Sequence, residues 1–383
     1  MTFNMHPIRI LQVFTTMGRG GAESMIMNYY RHMDRSKVQF DFIVHRNQPA
    51  AFDDEIKALG GSIYYLPEIN PLFPKQYYHD LRKFFKTHDQ YNIVHSHINT
   101  FSTFPLKIAK EFGIETRIAH AHIAMDPIDL KSTFKSKSSI IEALKKTLKL
   151  QLKKSVHKYP THCFSCGTKA GKWLFGDKAN FKVMNNAVDA RSFTFDPDLS
   201  DNIRKELDIE NKHVLGHVGR FTQQKNHAYL IHVYAEVLKR NSNCVLLLIG
   251  TGPLEDEIKL LSKQLGITKQ IKFLGMRTNI AELLQAIDVF IFPSFFEGLP
   301  VTLIESQAAG LKILASDTIT DEVKLTNDIS YLSINESPEI WANKIISFLP
   351  VKKKNNLDLI VKNNYDIISN ALEIETFYLQ QSK

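Results

Sequence analysis

The residues best placed to do chemistry fall in Asp288-Val-Phe-Ile-Phe-Pro-Ser-Phe-Phe-Glu297-Gly-Leu-Pro-Val-Thr-Leu-Ile-Glu305. The apolar run from Val289 to Phe292 reads as a buried strand, and Pro293, Ser294 and Gly298 read as the turn after it. Pro300 sits where a helix would begin, a place where its missing N–H costs nothing. Glu297 therefore belongs to a strand-to-helix loop, and Glu305 lies about a turn and a half into the helix. In an open α/β sheet such loops gather at the carboxyl edge, where ligands bind. Free amides at a helix start favour an anion such as a phosphate. A carboxylate deeper on the helix can accept two hydrogen bonds from the vicinal hydroxyls of a ribose. Taken alone, two glutamates eight positions apart suit an ordinary surface βα unit equally well.

The preceding segments add to this reading. Val214 to Val218 is an apolar strand, followed directly by Gly219-Arg220-Phe-Thr-Gln-Gln-Lys225-Asn226. Arg220 offers a planar fork for two phosphate oxygens and Lys225 a mobile point charge. Next come Val245-Leu-Leu-Leu-Ile-Gly250-Thr-Gly252-Pro253 and Ile271-Lys-Phe-Leu-Gly275. Each is an apolar strand ending in glycine, which lets backbone approach a ligand closely. Any one of these turns is a weak signal, and a single basic loop is usually just solvated. The ordered set is much more specific.

That set resembles the nucleotide-sugar-binding half of the family 4 glycosyltransferases, enzymes of GT-B fold. Their pattern is Gly-Arg-(x)4-Lys, Gly-x-Gly-Pro, then Glu-Gly-(x)6-Glu and Ala-Ala-Gly. It is matched here by Gly219-Arg220 to Lys225, by Gly250-Thr-Gly252-Pro253, by Glu297-Gly298 to Glu305, and by Ala308-Ala309-Gly310. The resemblance runs over nearly the whole chain. It includes Gly20-Gly21-Ala22-Glu23 after the first strand, and it is closest to exopolysaccharide-synthesis members. Asn226 departs from the pattern, since many members have glycine after the lysine.

The resemblance implies two Rossmann-like, doubly wound parallel-sheet domains facing a cleft. It implies a retaining, metal-independent transfer from a nucleotide-diphosphate sugar, expected to be uridine diphosphate-linked, to a hydroxyl of a glycan or lipid-linked acceptor. Arg220 and Lys225 would hold the diphosphate, Glu305 the ribose, and Glu297 and His122 the sugar. Gly20, Gly21, Gly250, Gly252, Gly298 and Leu299 would complete the donor site, with no cofactor and no metal. Two other readings stay open. One is a nucleotide-sugar epimerase of the same fold, which would release epimerised sugar without an acceptor. The other is a non-catalytic sugar-nucleotide-binding partner.

Composition is compatible with such a protein. At 383 residues the chain can bury two separate cores. Three cysteines and no apolar run long enough to span a bilayer point to a reducing, cytoplasmic setting. The segment Met1 to Arg9 lacks the apolar stretch of a signal peptide. Cys163-Phe-Ser-Cys166 is a lone CxxC without a second pair and makes a poor zinc site. Periodicity places strands at 8–14, 38–45, 62–66, 91–97, 116–122 and 162–165, with helices near 21–33, 52–59, 75–88, 101–112, 138–158 and 168–175. The alternation resumes from Val214 to Ser333, which implies parallel sheets covered on both faces. The polar stretch from Asp189 to Ser200 reads as a linker, and 363–383 reads as a helix returning to the first domain. The expected division is therefore 1–186 with 363–383 on the acceptor side, and 187–362 for the donor.

In the first half, three glycines in Thr16-Met-Gly18-Arg19-Gly20-Gly21-Ala22-Glu23 would permit positive φ and close approach to a ligand. Their spacing fits a dinucleotide fingerprint poorly. His95 and His97 end one strand, and His120 and His122 another. Alternate residues share a strand face, so the pairs could converge as metal ligands. The resemblance argues against a metal and gives a sugar-contacting role to His122, with His120 as the alternative packed inside. His95 reads as a core or edge residue and His97 as lining the acceptor pocket.

Between Lys131 and Lys158 stand nine lysines and one acidic residue, Glu142. Ile141, Leu144, Leu148, Leu152 and Val156 recur at helical spacing. A basic amphipathic helix over 138–158 could rest on an anionic membrane, on the inner face of the plasma membrane in this reading, or could simply pack on the core with its lysines solvated. The net charge of +8 fits both. No nucleic-acid recognition module accompanies it.

Overall fold

The computed structural model describes residues 6–123 and 137–382, and in the helix Lys137–Val156 it describes side chains from residue 147 onward. The chain forms two compact units, Met1–Ala187 with Ile367–Lys383, and Val188–Asp366. The expected boundaries were 186/187 and 362/363.

The first unit is built on β1 (Ile8–Val13), β2 (Val38–Val44), β3 (Ile63–Tyr65), β4 (Ile93–Ser96), β5 (Thr116–Ala121), β6 (His162–Ser165) and β7 (Lys182–Val183). They lie in the order β3-β2-β1-β4-β5-β6-β7, all parallel. The second unit carries β8 (His213–Val218), β9 (Cys244–Ile249), β10 (Ile271–Gly275), β11 (Val289–Phe292), β12 (Lys312–Ser316) and β13 (Ile329–Leu332), in the order β10-β9-β8-β11-β12-β13. Each sheet winds outward in both directions from its first strand. The strand order therefore reverses between β1 and β4 in one unit and between β8 and β11 in the other. A crevice opens at the carboxyl ends of strands at such a point.

Strands buried on both faces read as continuous apolar runs. Cys244–Ile249 and Val289–Phe292 are buried at every position. Each sheet has an apolar cluster on either side. In the first unit Phe40, Phe42 and Ile26 pack on one face, and Leu81, Leu106 and Leu174 on the other. The helix Ile367–Gln381 completes the first of these faces with Ile374 and Tyr378, and Glu375 accepts the backbone N–H of Asp34 at 2.8 Å.

Three expectations are corrected. Asp189 to Ser200 is not a linker: it holds the helix Ala190–Phe193 and the start of the helix Pro197–Glu206, both within the second unit. Asp189 and Asp196 cap them through their side chains, and Pro197 occupies the first helical turn. Pro300 is the N-cap of Val301–Ala308 rather than its first helical residue. Finally, no glycine of the Gly18–Gly21 loop takes positive φ, and Gly20 is extended at φ −84.

The basic helix packs by its carboxyl half. Val156 is fully buried, Leu152 lies against the same cluster, and the Lys153 ammonium sits 5.1 Å from the centre of the Trp173 ring. Lys149 is exposed. The side chains of Ile141, Glu142, Leu144, Lys145 and Lys146 lie outside the described residues. No described helix is long and apolar enough to cross a membrane.

Candidate donor and sugar sites

In the second unit the loops after β8 and β11 border the switch point, and they carry Arg220 and Lys225 on one side and Glu297 on the other. After β8 the chain runs through Gly219 and Arg220 into a 3-10 turn, Gln223–Lys225, and then into the helix His227–Arg240. Asn226 joins the two in the left-handed region, at φ 55 and ψ 43. That conformation explains the departure noted in the sequence: the position calls for glycine, and asparagine is the side chain that tolerates it best. Its Nδ2 also donates to the Pro293 carbonyl at 3.2 Å, which ties this loop to the one after β11.

The Lys225 ammonium lies 2.7 Å from Glu297 Oε1, with side chains 17% and 12% exposed. The contact is an ion pair rather than an aligned hydrogen bond, since Oε1 has no hydrogen-bond partner. The ammonium also sits 4.7 Å from the centre of the Phe292 ring. Gln224 Nε2 donates to Glu297 Oε2 at 3.1 Å and to the Phe296 carbonyl at 2.9 Å. Lysine and glutamate, assigned to different parts of a ligand, are thus held against each other. Arg220 is exposed, and its guanidinium has no partner among the described residues. Glu305 is half-buried on the helix Val301–Ala308, and burial pushes its carboxyl up to about 7. Gly298 is open, and Leu299 packs into the core beneath it.

Gly250 and Gly252 serve the loop rather than open space. A Cβ on Gly250, at φ +132, would stand 2.2 Å from the Gly219 carbonyl oxygen, and one on Gly252 would stand 2.5 Å from that of Phe221. Only glycine lets these backbones nest and hold Arg220 in place. Below the loop, His217 and His227 are buried, and three of their four ring nitrogens have no partner. Burial lowers both, His227 to about 4. Neither these histidines nor Gln224 stood out in the sequence, although a histidine inside the apolar run of β8 was a visible irregularity.

The first unit furnishes its switch point differently. His95, His97, His120 and His122 form a stacked ladder, with ring centres 4.1 Å apart for His120–His122 and 4.2 Å for His95–His97. Two hydrogen-bonded rows run through it. His95 joins Tyr378 at 2.7 Å and His120 at 3.0 Å, while His97 joins Gln12 at 2.8 Å and His122 at 2.9 Å. Asn99, at φ 51, accepts the backbone N–H of His122 at 2.9 Å. Burial drives all four pKa values down, His122 to about 3, so the rings are neutral. His97, expected beside an acceptor pocket, is buried within the stack, whereas His122, half-buried, stands at its edge.

Ring nitrogens of His95, His97 and His120 come within 4.8 Å of one another. In stacked rings the in-plane lone pairs run side by side rather than toward one point, and most are already engaged. The arrangement suits a hydrogen-bonded stack better than a metal centre. Gly20 caps the helix Gly21–His32 with its backbone, and Glu23 folds back over it. Cys163 is free, and burial raises its thiol to about 11, which leaves it unreactive. A surface hollow of about 620 Å³ lies elsewhere on the second unit, beside Glu236 and Glu339, and Arg240 already pairs with both.

Residues 200–364 match the family model for glycosyl transferases group 1. The putative glycosyltransferase EpsF of Bacillus subtilis (strain 168) is 35% identical over 343 residues, spanning 88% of this chain and 86% of that protein. The capsular polysaccharide biosynthesis glycosyltransferase CapH of Staphylococcus aureus is 25% identical over 98% of this chain and 99% of its own. Anabaena Alr3699/HepE, solved in complex with UDP and glucose, superposes with a TM-score of 0.70 at 17% identity, covering 97% of this chain and 99% of that one. The two parallel-sheet units are those of the GT-B fold, and the chain is a glycosyltransferase belonging to the group 1 family.

Proposed function

We propose that the chain transfers a sugar, with retention, from a nucleotide-diphosphate sugar to a hydroxyl of a glycan in exopolysaccharide or cell-surface polysaccharide synthesis, uridine diphosphate being the nucleotide. The observation that carries this reading is the contact of Lys225 with Glu297 across the β8/β11 switch point, with Arg220 exposed on the same loop as Lys225. The uridine diphosphate held by HepE and the capsular role in the name of CapH support it. In this reading the anomeric C–O bond to the diphosphate breaks and the acceptor oxygen bonds to the same face of that carbon. The acceptor proton passes to a departing phosphate oxygen. Arg220 and Lys225 neutralise charge growing on the diphosphate, which is electrostatic stabilisation of the transition state. Glu305 accepts the ribose hydroxyls, while Glu297 and His122 orient the sugar. No resident metal takes part.

Calorimetry across uridine, guanosine and adenosine diphosphate sugars tests the donor, and product analysis with and without acceptor tests the reaction. Binding and transfer with a uridine diphosphate sugar is the expected result. Epimerised free sugar, or binding without any turnover, would replace it.

The acceptor in this reading is lipid-linked, and the lysines of the helix Lys137–Val156 supply the membrane contact. Each lysine near an anionic surface contributes on the order of 1 kcal/mol, screened by salt. Wild type should co-sediment with anionic vesicles at low salt, and a variant with Lys145, Lys146, Lys149 and Lys153 changed to Gln should not. Equal sedimentation of both would show that the helix is not the contact.

A further inference from the structure

The row of the ladder that ends at His122 begins at one side chain, Gln12. The side chain of Gln12, in β1, is wholly buried; its Oε1 lies 2.8 Å from His97 Nε2, and its Nε2 has no hydrogen-bond partner among the described residues. An amide oxygen can only accept, so His97 Nε2 carries the proton. A neutral imidazole has one N–H, so His97 Nδ1 is an acceptor. Its partner at 2.9 Å, His122 Nε2, must then donate, and His122 Nδ1 is left bare. That nitrogen has no partner among the described residues and is not among the buried unpaired atoms. A half-turn of the His122 ring would put Cε1 in the place of Nε2 and lose the bond to His97.

We propose that Gln12 is a positioning residue: through His97 it sets the tautomer of His122, with the proton on Nε2 and the lone pair of Nδ1 presented at the strand end. This deepens the reading that His122 meets the donor sugar, and rests on it for its use: a bare Nδ1 accepts a hydrogen bond from a sugar hydroxyl, and a protonated one could not. The orientation of one buried amide decides the matter. Turned over, it would donate to His97 Nε2, and every proton in the row would move to the opposite nitrogen.

Two-bond proton–nitrogen NMR of the full chain, labelled at histidine, reads the tautomer directly, with the His122 signal assigned by its loss in His122→Gln. Wild type should show a pyridine-like Nδ1 and a protonated Nε2 at His122. Gln12→Leu removes the acceptor and should give a mixture of tautomers, with kcat falling about twofold to fivefold and donor KM little changed. Gln12→Glu keeps an acceptor and should restore both. A protonated Nδ1 in wild type, which needs no variant to fold, would overturn the inference. An unchanged tautomer ratio in Gln12→Leu would overturn it too. Saturation with uridine diphosphate glucose should shift the His122 Nδ1 resonance. If the tautomer is as stated but no donor shifts that resonance, the sugar-binding reading of His122 fails while the role of Gln12 stands.

Discussion

Between β1 and β4 the first unit places four stacked imidazoles and an amide; between β8 and β11 the second places an exposed arginine, a lysine–glutamate pair and a recessed carboxyl. The two crevices occupy equivalent positions in similar sheets, yet one is neutral and the other charged. Neutral rings, desolvated and mutually bonded, distinguish donors from acceptors without a field, which suits the hydroxyls of a sugar. A guanidinium and an ammonium near one helix start make a field that suits a diphosphate. The contrast shows that one architecture can furnish equivalent positions with opposite chemistry.

Acid should separate the two units most strongly. His45, His95, His97, His120 and His122 of the first unit all have lowered pKa values, against His217 and His227 of the second. Above an unfolded value of about 6.5 these rings are neutral whether folded or not, and stability is unaffected. Below it the unfolded chain takes up protons that the native state refuses. Each ring then costs about 1.4 kcal/mol per pH unit until its folded value is reached. The four ladder histidines together should cost about 8 kcal/mol by pH 5. Glu305 works the other way in the second unit, because its raised pKa favours the folded state as the pH falls toward the usual carboxylate range. Hydrogen exchange between pH 7 and 5 should therefore show β4 and β5 losing protection before β8 and β11. The reverse order would mean the ladder accepts protons and is not a neutral device.

Cutting the charged side should come next in size. Arg220→Ala removes one charge-assisted contact, about 1.5–3 kcal/mol or at least tenfold in uridine diphosphate affinity. Lys225→Ala should cost more, because it also leaves Glu297 facing the diphosphate without its partner. Lys225→Ala combined with Glu297→Gln should recover part of that loss, whereas Glu297→Gln alone should lower turnover more than nucleotide affinity. Calorimetry showing Arg220→Ala and Lys225→Ala to be equal, with no recovery in the double variant, would separate the ion pair from the phosphate site.

The smallest effect concerns Glu305. With its pKa near 7, ionisation is incomplete at pH 6 and nearly complete at pH 8. Only the carboxylate accepts both ribose hydroxyls, so uridine diphosphate affinity should rise about tenfold over that range and level off above it. Glu305→Gln should bind more weakly at pH 8 and show no such rise. A flat profile in wild type would remove the ribose from Glu305.

The alternating strands and helices were readable in the sequence because strands buried on both faces are apolar throughout, as Cys244–Ile249 and Val289–Phe292 are. The charged loops could be read for a related reason: Arg220, Lys225, Glu297 and Glu305 each follow such a run at a fixed step. What escaped depends on contacts between distant segments. Alternation put His95 with His97 and His120 with His122. Only the β4–β5 register, with His95 opposite Ile118, makes them one ladder. Gln12 drew no notice in the sequence, and its part in the row rests on the contact with His97. The glycines of Gly250-Thr-Gly252 suggested an approach to a ligand, but the backbone they admit is that of Gly219 and Phe221. The stretch after Asp189 looked like a linker because a four-residue helix is too short to show a period, although Asp196-Pro197 carries a helix-start signature.

The helix Ile367–Gln381 belongs to the unit that begins the chain, so the second unit, residues 188–366, is inserted within the first. During synthesis the early strands must wait for the last helix. Some 180 residues intervene, and at roughly 5–20 residues per second the delay is about 10–40 s. Throughout it, the sheet face around Phe40 and Phe42 lacks Ile374 and Tyr378, and His95 lacks the hydroxyl that caps its row. The inserted unit can meanwhile fold from its own residues alone. A chain ending at Asp366 and freed from the ribosome would therefore hold all the residues of the second unit but an unfinished first, the latter exposed to proteases and chaperones.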